Sequence, residues 1–136
     1  MPETAPDYDP ANWPLGRLLS AAARRVERRW DDRLLAIDLT HAAVIVLDHL
    51  IRGGATGADA LSAAARVKPQ TMSKTLDRME RDGLIERTPD PDDRRRRTVQ
   101  ATDRGRDAFA SAQHLEQEIL PDDPELRSAL LRLIER

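Results

Sequence analysis

Residues 69–83, PQTMSKTLDRMERDG, hold a helix whose start, stop and two faces are all written locally. Proline suits the first helical position, because the N–H it lacks would have no intrahelical partner there. Gly83 stands where a left-handed residue closes a helix. Between them Met72, Leu76 and Met79 fall at i, i+4 and i+7, one apolar stripe with Thr75 beside it. The opposite face carries Gln70, Lys74, Asp77 and Arg81, flanked by Thr71, Ser73 and Arg78. A helix divided this way sits on a core and turns its polar face outward.

Its neighbours restrict the fold further. Before it, TGADALSAAARV (56–67) reads as a short helix with Ala60, Leu61, Ala64 and Ala65 on its apolar side. Thr56, with Asp59 three residues on, resembles a capping box. Only the turn Arg66-Val67-Lys68 separates the two helices. After Gly83, LIERT (84–88) and TVQAT (98–102) alternate in character and flank a Pro/Asp/Arg loop, which predicts a hairpin. Helix, tight turn, helix, hairpin is a winged helix-turn-helix. The expected fold is mainly α with a small β-hairpin wing.

The flanks are helical too. Leu15, Leu18, Leu19, Ala22, Val26, Trp30 and Leu34 recur at spacings of three and four. A helix over about 15–36 would be ~30 Å long at 1.5 Å per residue. That is long for one domain of 136 residues, so part of its stripe is expected to meet another subunit. Aromatics are only 3% of the chain, and a lean core points the same way. In LTHAAVIVLDHL (39–50), Thr40 is a good N-cap and Ala42 to Leu47 is apolar all round, the mark of a buried central helix. Gly53-Gly54 ends it. Thr102 can cap a helix from Asp103 to about Glu118, and Asp123-Pro124 opens a last one with Leu126, Leu130, Leu133 and Ile134. Residues 1–14, with four prolines among acids, read as a flexible tail, Trp13 being the exception that packs.

The net charge of −2 hides an uneven distribution. Residues 1–65 carry −2 and residues 107–136 carry −4, while residues 66–106, with 12 Lys/Arg against 8 Asp/Glu, carry +4. A basic middle between acidic ends is the footprint of a nucleic-acid surface. Lys68 and Lys74 are the only lysines; the remaining basic residues are arginine, whose planar fork suits phosphates and guanine edges, although codon usage would give the same bias. The polar face of helix 69–82 offers an amide, hydroxyls and an amine near its N-terminus, the groups that read base edges in a major groove. Arg94 to Arg97 fall where a wing would meet the next minor groove, whose negative potential attracts arginine. Asp92 and Asp93 fit if one of them pairs with an arginine and stiffens the loop. A solvated amphipathic helix and a self-neutralised turn are the plainer readings.

Other classes find little support. There is no cysteine, hence no disulfide, zinc–thiolate site or thiol sensor. No apolar run approaches the ~20 residues of a membrane span, and the acidic N-terminus is no signal peptide, so a soluble cytoplasmic protein is expected. No nucleophile–base pair, glycine-rich phosphate loop or cofactor motif points to an enzyme. Asp38, His41 and Asp48 share a helical face, but without a fourth ligand no metal is expected.

Residues 15–136 resemble a MarR-family transcriptional regulator. LTHAAVIVLDHL is similar to the opening of that family's second helix, and ARVKPQTMSKTLDRMERDGLIERTPDPDDRRRRTVQATDRG resembles its reading helix and wing. TLDRMERDGLIER followed by DDRRRRTVQATDRG is the strongest match. The resemblance implies a homodimer built from the first and the last two helices. It divides the domain into residues 15–52 (dimerisation and central helices), 53–102 (DNA-binding) and 103–136 (dimerisation). It implies that Gln70, Thr71, Ser73 and Lys74 read bases and that Arg78 touches phosphate. Asp93 and Arg94 would be the wing's bracing pair, Arg95 the minor-groove arginine, with Arg96 and Arg97 along phosphates. Lys68 departs from the family's usual Ser, Thr or Asp cap and would touch phosphate instead. Ala43 replaces a usual Gln or Glu, and the C-terminal region is short. Trp13, Trp30 and His41 could line a pocket for an aromatic or anionic effector, although core packing explains both tryptophans as well. The expected partner is double-stranded DNA with a pseudo-palindromic operator, its half-sites ~34–36 Å apart. The expected role is repression relieved by a ligand, and the alternative is a winged helix that binds protein.

Overall fold

A computed structural model describes residues 9–136. Residues 1–8 of the expected flexible tail lie outside the described residues. In the remainder of that tail, Pro10–Asn12 form one 3₁₀ turn, opened by the Asp9 carboxylate accepting from the Ala11 N–H at 3.0 Å. Trp13 follows, half-buried, with the Arg17 guanidinium 4.4 Å from its ring centre.

The described residues form six α-helices and one hairpin: α1 Leu15–Leu35, α2 His41–Gly53, α3 Ala58–Ala65, α4 Pro69–Arg81, β1 Ile85–Pro89, β2 Arg97–Ala101, α5 Asp103–Ile119 and α6 Pro124–Ile134. This is the mainly helical winged fold that the sequence predicts. The caps fall where hydroxyl and carboxylate side chains can satisfy helix N–H groups. Thr40 accepts from Ala43 N at 3.1 Å, Thr102 from Gly105 N at 3.0 Å, and Asp123 from Leu126 N at 3.1 Å. Gly54 and Gly83 close α2 and α4 at φ 80° and 76°, a region glycine enters without steric cost.

The expected capping box at Thr56 does not form. The N-cap of α3 is Gly57, without a side-chain bond, and Thr56 pairs with β2 instead. Its N–H donates to Val99 O at 3.1 Å, and Val99 N donates back at 2.7 Å. The two backbone bonds to Val99 hold Thr56 in the ladder, one residue before the Gly57 N-cap, so its hydroxyl does not serve the first turn of α3. The bridge ties the entry of α3 to the wing.

The core surrounds α2, which packs on α3, α4, α5 and β2. Leu34, Leu47, Leu61, Met72, Leu76, Ile85 and Val99 are fully buried. The α3–α4 turn is tight because Arg66 adopts φ 54° and Val67 N reaches back to Ser62 O, a Schellman-type ending. At the other end of the wing, Gly105 of α5 lies so close to β1's entry that a Cβ there would stand 2.1 Å from Leu84 O.

Two apolar surfaces stay outside this core. The first half of α1 exposes Leu15, Leu18 and Leu19, and α6, with no buried residue, exposes Leu126, Leu131, Leu133 and Ile134. Among the described residues no helix is long and apolar enough to cross a membrane.

Candidate nucleic-acid interface

Helix α4 is fixed by its apolar stripe. Met72, Leu76 and Met79 are at most 2% exposed. The same turn of helix that buries them presents Gln70, Thr71, Ser73, Lys74, Arg78 and Arg81 to solvent. Lys68, at the N-cap, is exposed and makes no side-chain cap bond. Pro69 at N1 removes one orphan donor there, which lessens the need for a cap. Thr75 is turned back on the helix, its hydroxyl donating to Thr71 O at 3.1 Å.

The hairpin pairs Ile85 with Ala101, Arg87 with Val99 and Pro89 with Arg97. Its loop is built by its own acids. Asp90 Oδ1 accepts from Asp92 N at 2.9 Å, and Asp93 Oδ1 accepts from Arg95 N at 3.0 Å. Asp90 N donates to Arg96 O at 2.9 Å, and Arg96 N to Asp93 O at 3.0 Å. Asp side chains that hold backbone N–H groups fold a loop locally. These carboxylates are therefore occupied within the turn while four arginines project from it.

The bracing pair differs from the expected one. Asp93 faces Arg96, with 3.8 Å between Oδ2 and Nε, and also holds the Arg95 N–H. Arg94 is exposed, and no described ion pair includes it. The turn is the reason: its geometry brings the residue three positions on, not the adjacent one, back over the carboxylate.

The fold brings α4 and the wing together. Ser73 of α4 and Arg95, Arg96 and Arg97 of the hairpin line one cleft of about 570 Å³, floored by Leu76 and Val99. Lys74 and Arg78 lie on another flank of α4, beside Thr40 and Asp82. Arg78 and Asp82 form a loose pair at 3.8 Å.

Arg87 is the residue that sequence reasoning passed over. Its Nη2 donates to Asp77 Oδ1 at 2.7 Å and to Glu80 Oε1 at 3.0 Å, so one strand residue spans two carboxylates of α4. The hydrogen bond from Arg87 holds the Glu80 carboxyl below its ordinary range, and the same contacts raise the Arg87 guanidinium. A depressed carboxylate contributes above its unfolded pKa, and that contribution is lost as pH falls through the folded value. A signal was present in the sequence: strand alternation puts Arg87 on the face of buried Ile85, where a charge needs partners.

The expected effector residues divide. Trp30 Nε1 donates to His41 Nδ1 at 3.0 Å, which leaves the neutral ring's proton on Nε2. Both line an apolar groove of about 490 Å³ between α1, the end of α5 and α6. Trp13 is not part of that groove; it lies over Arg17. Asp38 lies in the turn after α1 at φ 57°, Asp48 pairs with Arg52, and neither forms a metal-capable group with His41. No group of three metal-capable side chains occurs among the described residues.

Comparison with known proteins agrees with this geometry. The family model of the MarR family matches residues 37–96, the stretch from α2 to the wing loop. No curated protein matches the sequence. The apo form of wild-type MarR from E. coli is similar in structure, at 26% identity and a TM-score of 0.70, over 90% of this chain and 96% of that one. A cysteine-to-serine mutant of E. coli MarR complexed with operator DNA is similar at 26% identity and a TM-score of 0.73, over 90% and 92%. BpsR of Bordetella bronchiseptica, whose DNA binding is regulated by 6-hydroxynicotinic acid, shares the fold at 24% identity and a TM-score of 0.74, over 90% and 91%. With its α2-to-wing segment matching the MarR family model and its fold shared with E. coli MarR, the chain is similar in sequence and architecture to the winged-helix regulators of the MarR family.

Proposed function

We propose that the chain acts as a homodimeric, sequence-specific transcriptional repressor. Each subunit lays α4 in a major groove and its wing in the flanking minor groove. The observation that carries this reading is the cleft lined by Ser73 of α4 and by Arg95, Arg96 and Arg97 of a hairpin in which the Asp90 and Asp93 carboxylates are already engaged. Gln70, Thr71, Ser73 and Lys74 read bases, while Lys68, Arg78, Arg96 and Arg97 contact phosphates. The E. coli MarR complex with operator DNA supports that assignment by similarity of fold and sequence. Residues 53–102 then form the DNA-binding part, and the exposed apolar faces of α1 and α6 support dimerisation by residues 15–52 and 103–136. Two-fold symmetry requires a pseudo-palindromic operator.

The groove beside Trp30 and His41 is the effector site of this reading. Largely apolar walls, with the His41 imidazole and the charged side chains of Glu27, Glu116 and Arg127 among the lining, suit an aromatic compound that carries a polar group. Its binding releases DNA by favouring a dimer with altered spacing, which requires different affinity for the two shapes.

Selection of duplexes from a random library by the purified protein tests the proposal. The expected result is a pseudo-palindromic motif whose affinity falls steeply with salt. A protein-binding winged helix, the rival reading, would give no salt-dependent DNA affinity. The selected duplex then reports effectors directly, and a screen that finds no compound altering its affinity would remove the ligand from the proposal. Arg95→Ala should weaken operator binding by roughly 1 kcal/mol or more with the oligomeric state intact. Unchanged affinity would end the minor-groove role.

A further inference from the structure

Asp77 and Glu80 are misplaced for a surface that meets phosphate. They lie on α4 among Lys74, Arg78 and Arg81, and 55% and 40% of their side chains are exposed. Their geometry gives them another task. Both accept from a single nitrogen, Arg87 Nη2, which comes from the middle of β1. Arg87 is the most deeply set of the three, 16% exposed, and its Nε is buried without a partner. The guanidinium is thus held by α4's carboxylates at the wall of the cleft that Ser73 and Arg95 to Arg97 share.

The lever arm explains what the contact controls. The wing leaves α4 through Gly83 and Leu84, whose backbone is fixed by Leu84 N donating to Met79 O at 2.9 Å and Thr102 donating to Gly83 O at 2.6 Å. Those bonds secure the base of the hairpin. Arg87 lies three residues farther along, roughly 10 Å up the strand at ~3.3 Å per residue. A tie at that height restrains the tilt of the hairpin, and with it the reach of Arg95 to Arg97 relative to Ser73.

We propose that Arg87, held by Asp77 and Glu80, is a positioning residue for DNA recognition: it locks β1 to α4 and so sets the distance between the groove-reading helix and the wing arginines. This rests on the DNA-binding reading above. The two carboxylates serve the wing, and their repulsion of DNA is the cost of holding it.

The test uses the full chain with Asp77→Ala and Glu80→Ala together. Both sites are exposed and alanine favours helix, so folding is retained. Charge alone predicts tighter DNA binding, because two negative charges leave the surface and Arg87 is freed. Positioning predicts the opposite sign: affinity about tenfold weaker, the size of one lost arginine contact, with the wing's minor-groove protection lost and α4's major-groove protection kept. Footprinting on the selected duplex reads both grooves. Arg87→Met, which keeps the aliphatic stem, should give the same selective loss. A folded double variant that binds as tightly as wild type or tighter, with the wing still protected, overturns the proposal. If wild type itself protects no duplex, the DNA-binding reading falls and this inference with it; if wild type binds and the variants match it, only the inference falls.

Discussion

Gly105→Ala is expected to lower stability by about 3 kcal/mol, the upper end of the cost of overpacking. The new Cβ would stand 2.1 Å from Leu84 O and 3.1 Å from Leu47 Cδ2. The first neighbour is backbone, in the segment where the chain leaves α4 for β1. It cannot turn aside, because Leu84 O accepts from Thr102 N at 3.1 Å and Thr102 is the cap of α5. Relief therefore requires α5 to move off the base of the wing. Against this stands the helix-propensity gain of Gly→Ala, at most about 1 kcal/mol. The clash wins, and the melting temperature should fall by roughly 10 °C. Gly16→Ala is the matched control: nothing lies within 4 Å of its would-be Cβ, so the same change in α1 should stabilise. Thermal unfolding of both variants decides the point. A Gly105→Ala protein that melts at or above wild type would show that α5 does not press on the wing as described.

The same region shows what a sequence discloses and what it withholds. The stripe Met72, Leu76 and Met79 was legible because helical period alone aligns it, and all three are buried. Thr40, Thr102 and Asp123 were legible as caps because the side chain and the N–H it serves are three residues apart. The same local rule failed at Thr56, where a strand more than forty residues away competed for the backbone and won. It failed again in the wing, where the adjacent pair Asp93–Arg94 was expected and the turn delivered Arg96 to Asp93. Trp30 and His41 were each singled out, but the hydrogen bond between them depends on how α1 meets α2. Arg87 was passed over because its partners lie on another element, reached only after the chain reverses at Gly83. Local chemistry was readable; the contacts that orient one element on another were not.

The largest functional effect should come from a surface far from DNA. Leu131→Asp with Ile134→Asp is expected to convert the protein to a monomer and lower operator affinity by roughly ten-thousandfold. Helix α6 has 11 residues and none is buried, while Leu131 is 46% and Ile134 77% exposed. Isolated helices of that length are marginal in water. In the proposed homodimer, an apolar helix with so little support from its own chain would gain its stability from a second copy, and the exposed leucines at the start of α1 would add apolar area. A nanomolar operator complex corresponds to about −12 kcal/mol, and a monomer that keeps one half-site keeps about half of that, or a Kd of tens of micromolar. The substitutions replace no buried side chain, so α4, the wing and the core should remain folded, and single half-site binding should survive at its own weak affinity. Sedimentation and operator titration of the variant test the two steps separately. A variant that still sediments as a dimer would move the interface away from α6. A true monomer that binds the operator as tightly as wild type would remove the two-fold reader altogether, because one α4 and one wing would then suffice.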